Sequence, residues 1–424
     1  MRFPSILILL LVLGTANLSA GDWPNWMGPN HNSISSESIP TDLSKARVLW
    51  KGKVGVGFSS VTVATFPVRE IKQGRAVERE QPRAFTMGHN GRSGSNGEES
   101  VFCLDAGTGA VLWTHSYPAP LIDRFYEGGP GASVTIRDGR AYAYSKHGHL
   151  LCIDAAKGTL IWKKDMAGLA GIDIPEWGFA CSPVFLDSDT VLIEAGRTYA
   201  LRADDGEVEW KSGKFPPAYG SPVVFEGNDR RMVAVLKTSG LVVLDGNTGG
   251  TIATTSWETS FDTNATTPIQ KDNLLFVSTG YARGCGLFEL KDGRLVKRYE
   301  NEVMSNHMNQ SVLIDGHLYG FDGTAHRGPK SSFVCMALAT GKESWRLSAR
   351  SGLGCGSLIG TMDGTLLLFS ERGELVTMKA DPKEARILNR RQVLGGRCWT
   401  PPTLSGGHVF VRNARGDVAC VALK

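Results

Sequence analysis

The sequence predicts an all-β protein, an eight-bladed β-propeller whose last blade is closed by a strand from the N-terminal part of the chain. Three observations predict it. A segment that often ends in Trp recurs along the chain, a second short motif opens each repeat, and a glycine returns at the same turn every 43 to 49 residues. Repeats of about 45 residues with four short strands each are typical of propeller blades.

The recurring segment closes each repeat. It is an apolar strand ending in Asp, a short turn with Gly, and a further strand, and it is clearest at residues 101–113 and 150–162. Its turn glycines are Gly109, Gly158, Gly206, Gly249, Gly293 and Gly341. A degenerate seventh copy lies at residues 375–388, so seven blades are the alternative if that copy does not form a complete blade. The opening motif appears as SPVFL at Ser182, SPVVF at Ser221 and TPIQ at Thr267.

The eighth repeat is incomplete at the C-terminus, where the sequence supplies three strands. The missing outer strand is expected at residues 46–50, a segment that ends in Trp50 like the final strand of a repeat. Such closure removes the unpaired sheet edges that a linear array would leave. Two irregularities interrupt the repeats: residues 66–83 form an insertion between the first two strands of blade 1, and residues 322–332 lengthen a loop of blade 6.

The N-terminus has the pattern of a secretory signal. Arg2 precedes an eight-residue apolar run, residues 6–13, which is too short to cross a bilayer. Residues 1–20 are therefore expected to be a signal peptide cleaved after Ala16 or Ala20, and the mature protein to be periplasmic or secreted. We expect no lipid anchor, because no Cys stands near the junction, and no transmembrane segment, because no later stretch is apolar enough.

Behind the signal, residues 21–45 form an arm rich in Pro, Asn and Ser, and residues 46–424 form the propeller. The arm carries Trp23 and Trp26, which are expected to pack on the outside of the propeller. The formal net charge is +4 and no dense Lys/Arg run occurs, so nucleic acid is not an expected partner.

The eight cysteines show no Cys-x-x-Cys spacing. Cys103, Cys152, Cys335 and Cys420 occupy the same slot of the third strand in their repeats, which predicts buried thiols used for packing. The nine histidines form no recognisable ligand motif, so no metal site is predicted.

Antiparallel strand order places the candidate ligand-binding residues. If the innermost strand runs away from one face, the loops that lead into each blade (leading loops) and the loops between the two middle strands (middle loops) meet at that face. The candidates in these loops are Trp177, Glu176, Arg283, His307, Asn309, Arg327, Arg397 and Trp399. The tryptophans suit stacking on a planar ligand, the arginines suit carboxylates, and Glu176 with Asp173 suits Ca²⁺ or general-base catalysis.

The repeat resembles the pyrroloquinoline-quinone (PQQ) type propeller repeat, whose pattern is A-x-D-x-x-T-G-x-x-x-W, at residues 104–113 and 153–162. The arm segment Asp22-Trp23-Pro24-Asn25-Trp26-Met27-Gly28-Pro29 is similar to the opening of secreted PQQ-like propeller proteins. The family includes quinoprotein dehydrogenases as well as cofactor-free propellers such as the outer-membrane assembly factor BamB. The resemblance therefore implies the fold and leaves two classes of function.

The first hypothesis is a non-catalytic binding or scaffold protein that holds a protein, peptide or glycan partner of the cell envelope through its loop-rich face. The alternative is a quinoprotein-type oxidoreductase with PQQ and Ca²⁺ in the central channel. The sequence favours the first, because it lacks the adjacent Cys-Cys of many quinoprotein enzymes and no recognisable motif supplies the Ca²⁺ ligands or the catalytic Asp.

Overall fold

A computed structural model describes residues 21–424 except 73–74, 228–229 and 326–329. Eight sheets, each built on four antiparallel strands, form a ring, which confirms the predicted eight-bladed propeller. From the innermost to the outermost strand, blades 1 to 4 comprise Thr62–Lys72, Arg75–His89, Glu98–Asp105 and Val111–Pro118; Thr135–Arg137, Arg140–Tyr144, His149–Asp154 and Leu160–Asp165; Val184–Phe185, Thr190–Glu194, Thr198–Arg202 and Val208–Lys211; and Val223–Gly227, Arg230–Lys237, Gly240–Asp245 and Thr251–Ser256.

Blades 5 to 7 follow the same order, and the degenerate seventh copy forms a full blade. In the same direction they comprise Ile269–Lys271, Leu274–Thr279, Gly284–Lys291 and Arg294–Asn301; Val312–Ile314, His317–Asp322, Ser332–Ala337 and Glu343–Leu347; and Ser357–Thr361, Thr365–Phe369, Glu374–Lys379 and Ile387–Gln392. The described helices are short: Met166–Ala170 is α-helical, and Gly94–Asn96, Ser260–Asp262 and Ala349–Ser351 are 3₁₀ turns.

Blade 8 joins the two ends of the chain. Its three C-terminal strands are Thr403–Ser405, His408–Arg412 and Asp417–Ala422, and its outermost strand is Arg47–Lys53. The outermost strand pairs antiparallel with the third, with Trp50 opposite Cys420. The predicted N-terminal closure is therefore confirmed.

Aromatic side chains of the outermost strands lock neighbouring blades together. In each case the side chain donates a hydrogen bond to a backbone carbonyl at the turn between the third and fourth strands of the next blade. The donor–acceptor pairs are Trp50–Ala106 (2.9 Å), Trp113–Ala155 (3.1 Å), Trp162–Ala203 (3.0 Å), Tyr299–Leu338 (2.8 Å) and Trp345–Asp381 (2.8 Å). The recurring Trp of the sequence is thus a packing element between blades.

The opening motifs form a second series of contacts, which links blades 1 to 5 nearer the channel. A backbone N–H at the start of one blade donates to the hydroxyl at the start of the next. These pairs are Ser60–Ser133 (3.1 Å), Ser133–Ser182 (2.9 Å), Ser182–Ser221 (2.9 Å) and Ser221–Thr267 (3.3 Å). The pairs explain why Ser or Thr recurs at the first position of the repeat.

The N-terminal arm lies inside the channel, so the expectation that its tryptophans pack on the outside was wrong. Trp23 forms a β-bridge with Val63 on the innermost strand of blade 1. The short strand Ile34–Ser35 pairs in parallel with the innermost strand of blade 7. Trp23 is 3% exposed and belongs to the core between blades 7 and 8. Innermost strands offer unpaired backbone groups to the channel, and the arm satisfies several of them.

The insertion predicted at residues 66–83 is a continuation of two strands. Thr62–Lys72 and Arg75–His89 pair from Thr62↔Phe85 to Lys72↔Arg75, so the innermost hairpin of blade 1 extends beyond the blade. The lengthened loop predicted at residues 322–332 lies partly outside the described residues.

Cysteines pack in the core, as predicted. All eight are unpaired and buried. Burial raises the pKa of the thiol of Cys103 and that of Cys420 to about 12. Such thiols stay protonated at neutral pH and act as small apolar groups.

Candidate functional site

The leading loops and middle loops meet at one face and surround a cavity of about 590 Å³. Its wall comes from the leading loops of seven blades, all but blade 7, with Lys146 and Tyr281 from middle loops and Trp26 from the arm. The lining residues are Trp26, Phe58, Phe125, Tyr126, Gly129, Gly131, Lys146, Trp177, Ala180, Ser182, Tyr219, Gly220, Ser221, Phe261, Thr263, Ala265, Thr267, Tyr281, His307, Met308, Asn309, Trp399 and Pro401. Trp26 brings the arm into this lining.

Aromatic rings dominate the wall and contact one another. Phe58 stacks on Trp399 with a centroid distance of 5.6 Å and an interplanar angle of 23°. On the opposite side, Trp177 packs edge-on against Tyr219 at 5.9 Å. These mutual contacts hold the rings in fixed orientations, so the cavity presents rigid apolar surfaces to a ligand.

Four of the eight sequence candidates line this cavity: Trp177, His307, Asn309 and Trp399. The ring of His307 packs edge-on against Tyr281 at 5.2 Å. The side-chain amide of Asn309 donates to the carbonyl of Trp399 at 2.7 Å and thereby ties the leading loops of blades 6 and 8 together.

Three other candidates form ion pairs and are not part of the lining. Arg397 pairs with Glu127 at 2.6 Å, and its guanidinium lies 4.5 Å above the ring of Trp399.

Glu176 and Arg283 are likewise paired. Glu176 accepts a hydrogen bond from Arg124 at 2.8 Å, with both side chains largely exposed. Arg283 pairs with Glu300 at 2.7 Å and lies 3.8 Å above the ring of Trp257. The eighth candidate, Arg327, lies outside the described residues.

Lys146 was missed by the sequence reasoning. It sits in the middle loop of blade 2, is 3% exposed, and lines the cavity. Its ammonium donates to the hydroxyl of Tyr126 at 2.7 Å and to the carbonyl of Ile122 at 3.4 Å. Burial lowers the pKa of Lys146 to about 8. A lysine in a polar loop carries no sequence signal of burial, because the loops that cover it come from elsewhere in the chain.

The rim of the cavity carries two exposed phenylalanines with left-handed backbones. Phe125 is 84% exposed with φ 64°, and Phe261 is 64% exposed with φ 62°. Tyr281, which packs against Phe261 at 5.2 Å, has φ 59°. A bulky residue with positive φ is uncommon and costs about 1–3 kcal/mol, so the surrounding structure must hold these loops in place.

The lining meets one of the two needs of a PQQ–Ca²⁺ centre. Flat aromatic surfaces suit a planar quinone, but Ca²⁺ takes six to eight oxygen ligands, usually including carboxylates. None of the described residues that line the cavity is Asp or Glu. In the described part of the chain, no group of three His, Cys, Asp or Glu side chains is arranged to hold a metal ion. The donor set therefore does not fit a PQQ–Ca²⁺ centre.

Solved structures show where this fold occurs. BamB from Moraxella catarrhalis aligns with a TM-score of 0.55 and 14% identity over 86% of this chain and 99% of that one. Quinohemoprotein alcohol dehydrogenase from Comamonas testosteroni aligns with a TM-score of 0.61 and 13% identity over 97% and 81%. A europium-containing methanol dehydrogenase aligns with a TM-score of 0.56 and 10% identity over 95% and 98%. At these identities the likeness shows the fold alone.

Family models give a more specific result. No curated protein sequence matches the chain. The described helices include none that is long and apolar enough to cross a bilayer. The model described as outer membrane protein assembly factor BamB matches residues 97–347 and 329–423, most of the propeller. The chain therefore belongs to the PQQ-like β-propeller family that this model represents.

Proposed function

We propose that the protein is a non-catalytic binding protein of the cell envelope. Its loop-rich face holds a protein, peptide or glycan partner, and the aromatic cavity receives a side chain or sugar ring of that partner. The signal-type N-terminus, whose residues 1–20 lie outside the described part of the chain, supports an extracytoplasmic location. The name of the matching family, an outer membrane assembly factor, supports a role at the envelope.

The observation that carries the proposal is the exposure of Phe125 and Phe261 at the cavity mouth. Large aromatic side chains left in water lose the free energy that burial would give them, and exposed apolar surface of this kind marks interaction sites. In binding interfaces, aromatic side chains in well-packed pockets supply most of the affinity. Phe125 and Phe261, in strained loops beside a rigid aromatic cavity, are therefore suited to contact a binding partner.

The described lining also favours binding over catalysis. General acid–base chemistry needs a proton donor or acceptor that can reach the reacting group. Tyr126 and Tyr219 are held neutral, because burial raises the pKa of both phenols, that of Tyr219 to about 12. Lys146 and His307 are lining side chains that can exchange a proton, but no carboxylate among these lining residues is present to act with them, so the wall mainly provides surfaces for stacking and hydrogen-bond donors.

A quinoprotein-type oxidoreductase is the second candidate function. The flat indoles of Trp177 and Trp399 in the cavity wall favour it, since such rings suit a planar cofactor. The poor fit of the donor set to Ca²⁺ places it second.

The test compares the double variant Phe125→Ser/Phe261→Ser with wild type on an array of envelope glycans and peptides. We expect the double variant to lose the binding that wild type shows. Met362→Ser is the matched control, because Met362 is 78% exposed on a turn between the first two strands of blade 7, at the opposite face. Equal binding by wild type and the double variant would contradict the proposal.

A further inference from the structure

Lys146 is a buried cation that makes no direct ion pair, although the carboxylates of Glu99 and Asp123 lie near enough to favour its charged form. Its ammonium contacts a phenol and a carbonyl, and no ion pair among the described residues includes it. Lys237 is also buried, and its charge is neutralised in the usual way, by a direct ion pair with the carboxylate of Glu194. Burying an unpaired charge is costly, so a cation at a cavity wall creates a strong demand for an anion from outside the chain.

Hydroxyl groups elsewhere in the same lining add further donors. The hydroxyls of Ser182, Ser221 and Thr267 each accept a backbone N–H of the preceding blade, at 2.9, 2.9 and 3.3 Å. A hydroxyl that accepts one hydrogen bond retains its own hydrogen for donation. The wall therefore offers a cation and several donors, and the lining residues include no carboxylate to compete for them.

The ligand that matches this wall has an anionic group, several oxygen acceptors and an apolar ring face. We propose that the cavity binds a uronic acid ring of an acidic glycan, with the sugar carboxylate on Nζ of Lys146 and a ring face against Trp177 or Trp399. This inference rests on the proposed function and names its ligand class. The carboxylate supplies a directly bonded counter-ion, the sugar oxygens accept from the hydroxyls, and the C–H face of the ring covers an indole.

The experiment uses matched pairs of methyl glycosides. Methyl glucuronide, galacturonide and mannuronide are each titrated against their neutral parent sugars, with tryptophan fluorescence and calorimetry as readouts. We expect at least one uronide to bind about tenfold or more tightly than its neutral partner, as a charge-assisted hydrogen bond provides. Lys146→Met should abolish that preference, whereas Lys157→Met, which removes an exposed lysine of the same blade, should retain it.

Three outcomes are informative. A preference that disappears in Lys146→Met, with an unchanged melting temperature, supports the inference. Equal binding of uronides and neutral sugars overturns it and leaves the proposed function standing. If no sugar binds, the inference is overturned as well, and the comparison of wild type with Phe125→Ser/Phe261→Ser on peptides decides the proposed function separately.

Discussion

Gly109 lies directly against the indole of Trp50: a β-carbon on Gly109 would lie 2.5 Å from the ring. The contact joins blade 8 to blade 1, because Trp50 comes from the N-terminal strand and Gly109 from the turn that receives it. The ring of eight blades is closed at this point, and the same indole also bonds to the carbonyl of Ala106.

Gly109→Ala should destabilise the protein far more than Gly293→Ala. Both glycines occupy the same turn of their repeats with positive φ, 75° and 70°, but nothing lies within 4 Å of a β-carbon on Gly293. We expect about 1 kcal/mol for the left-handed backbone at either site and about 1–3 kcal/mol more at Gly109 for overpacking. Denaturant unfolding measures the difference in the free energy of unfolding. Equal losses in the two variants would contradict the tight packing of Trp50 against Gly109.

The two tryptophans of the arm should behave differently. Trp23→Ala removes a core side chain and should lower the free energy of unfolding by about 3–5 kcal/mol. Trp26 lines the cavity and is partly exposed, so Trp26→Ala should lower ligand affinity with a smaller effect on stability. Thermal denaturation and ligand titration of the two variants test this contrast. A large loss of stability in Trp26→Ala and a small one in Trp23→Ala would contradict the position of the arm in this structure.

Binding of a uronide should weaken as pH rises through about 8. Burial lowers the pKa of Lys146 to that value, although the nearby carboxylates of Glu99 and Asp123 act against it. Tyr126 remains neutral over this range because burial raises its pKa. Below pH 8 the protonated amine attracts the sugar carboxylate, and above it the charge is lost, with the midpoint moved upward by a bound anion. Calorimetry at pH 6.5 and 9.5 tests this, with the neutral sugar as the pH-insensitive control.

The protein should lose stability above about pH 9 under reducing conditions. Buried thiols such as Cys103 and Cys420 keep their protons in the folded state to about pH 12, while unfolded thiols ionise near 9. The folded state then binds more protons than the unfolded state, so stability falls with rising pH, by about 1 kcal/mol per thiol at pH 10. Urea unfolding at pH 8 and 10 measures the loss, and Cys420→Ala should reduce it.

Much of the fold could be predicted from the sequence because each blade repeats the same local chemistry. The turn with Gly109, the docking Trp50 and the opening Ser182 all recur at fixed spacing, and each acts through its nearest neighbour blade. The arm was misplaced because Trp23 contacts strands far away in the sequence. Its burial depends on closure of the ring, which composition does not report.

The position of four candidates around one cavity could be predicted for a similar reason. Trp177, His307, Asn309 and Trp399 follow from topology alone, since all lie in loops that must reach one face. The burial of Lys146 and the exposure of Phe125 could not be predicted in this way, because both depend on the loops packed around these residues. Arg283 and Arg397 each pair with a carboxylate, Glu300 and Glu127, and these pairings could not be predicted from the sequence.

The most direct test of a non-catalytic binding role is titration of the purified mature protein with PQQ and Ca²⁺, followed by absorbance and a dye-linked oxidation assay with alcohols and sugars. The account predicts no saturable uptake and no dye reduction, because the described lining lacks the carboxylates that Ca²⁺ requires. Uptake of one equivalent of PQQ, lost in Trp177→Ala or Trp399→Ala and accompanied by substrate oxidation, would contradict it and establish the oxidoreductase.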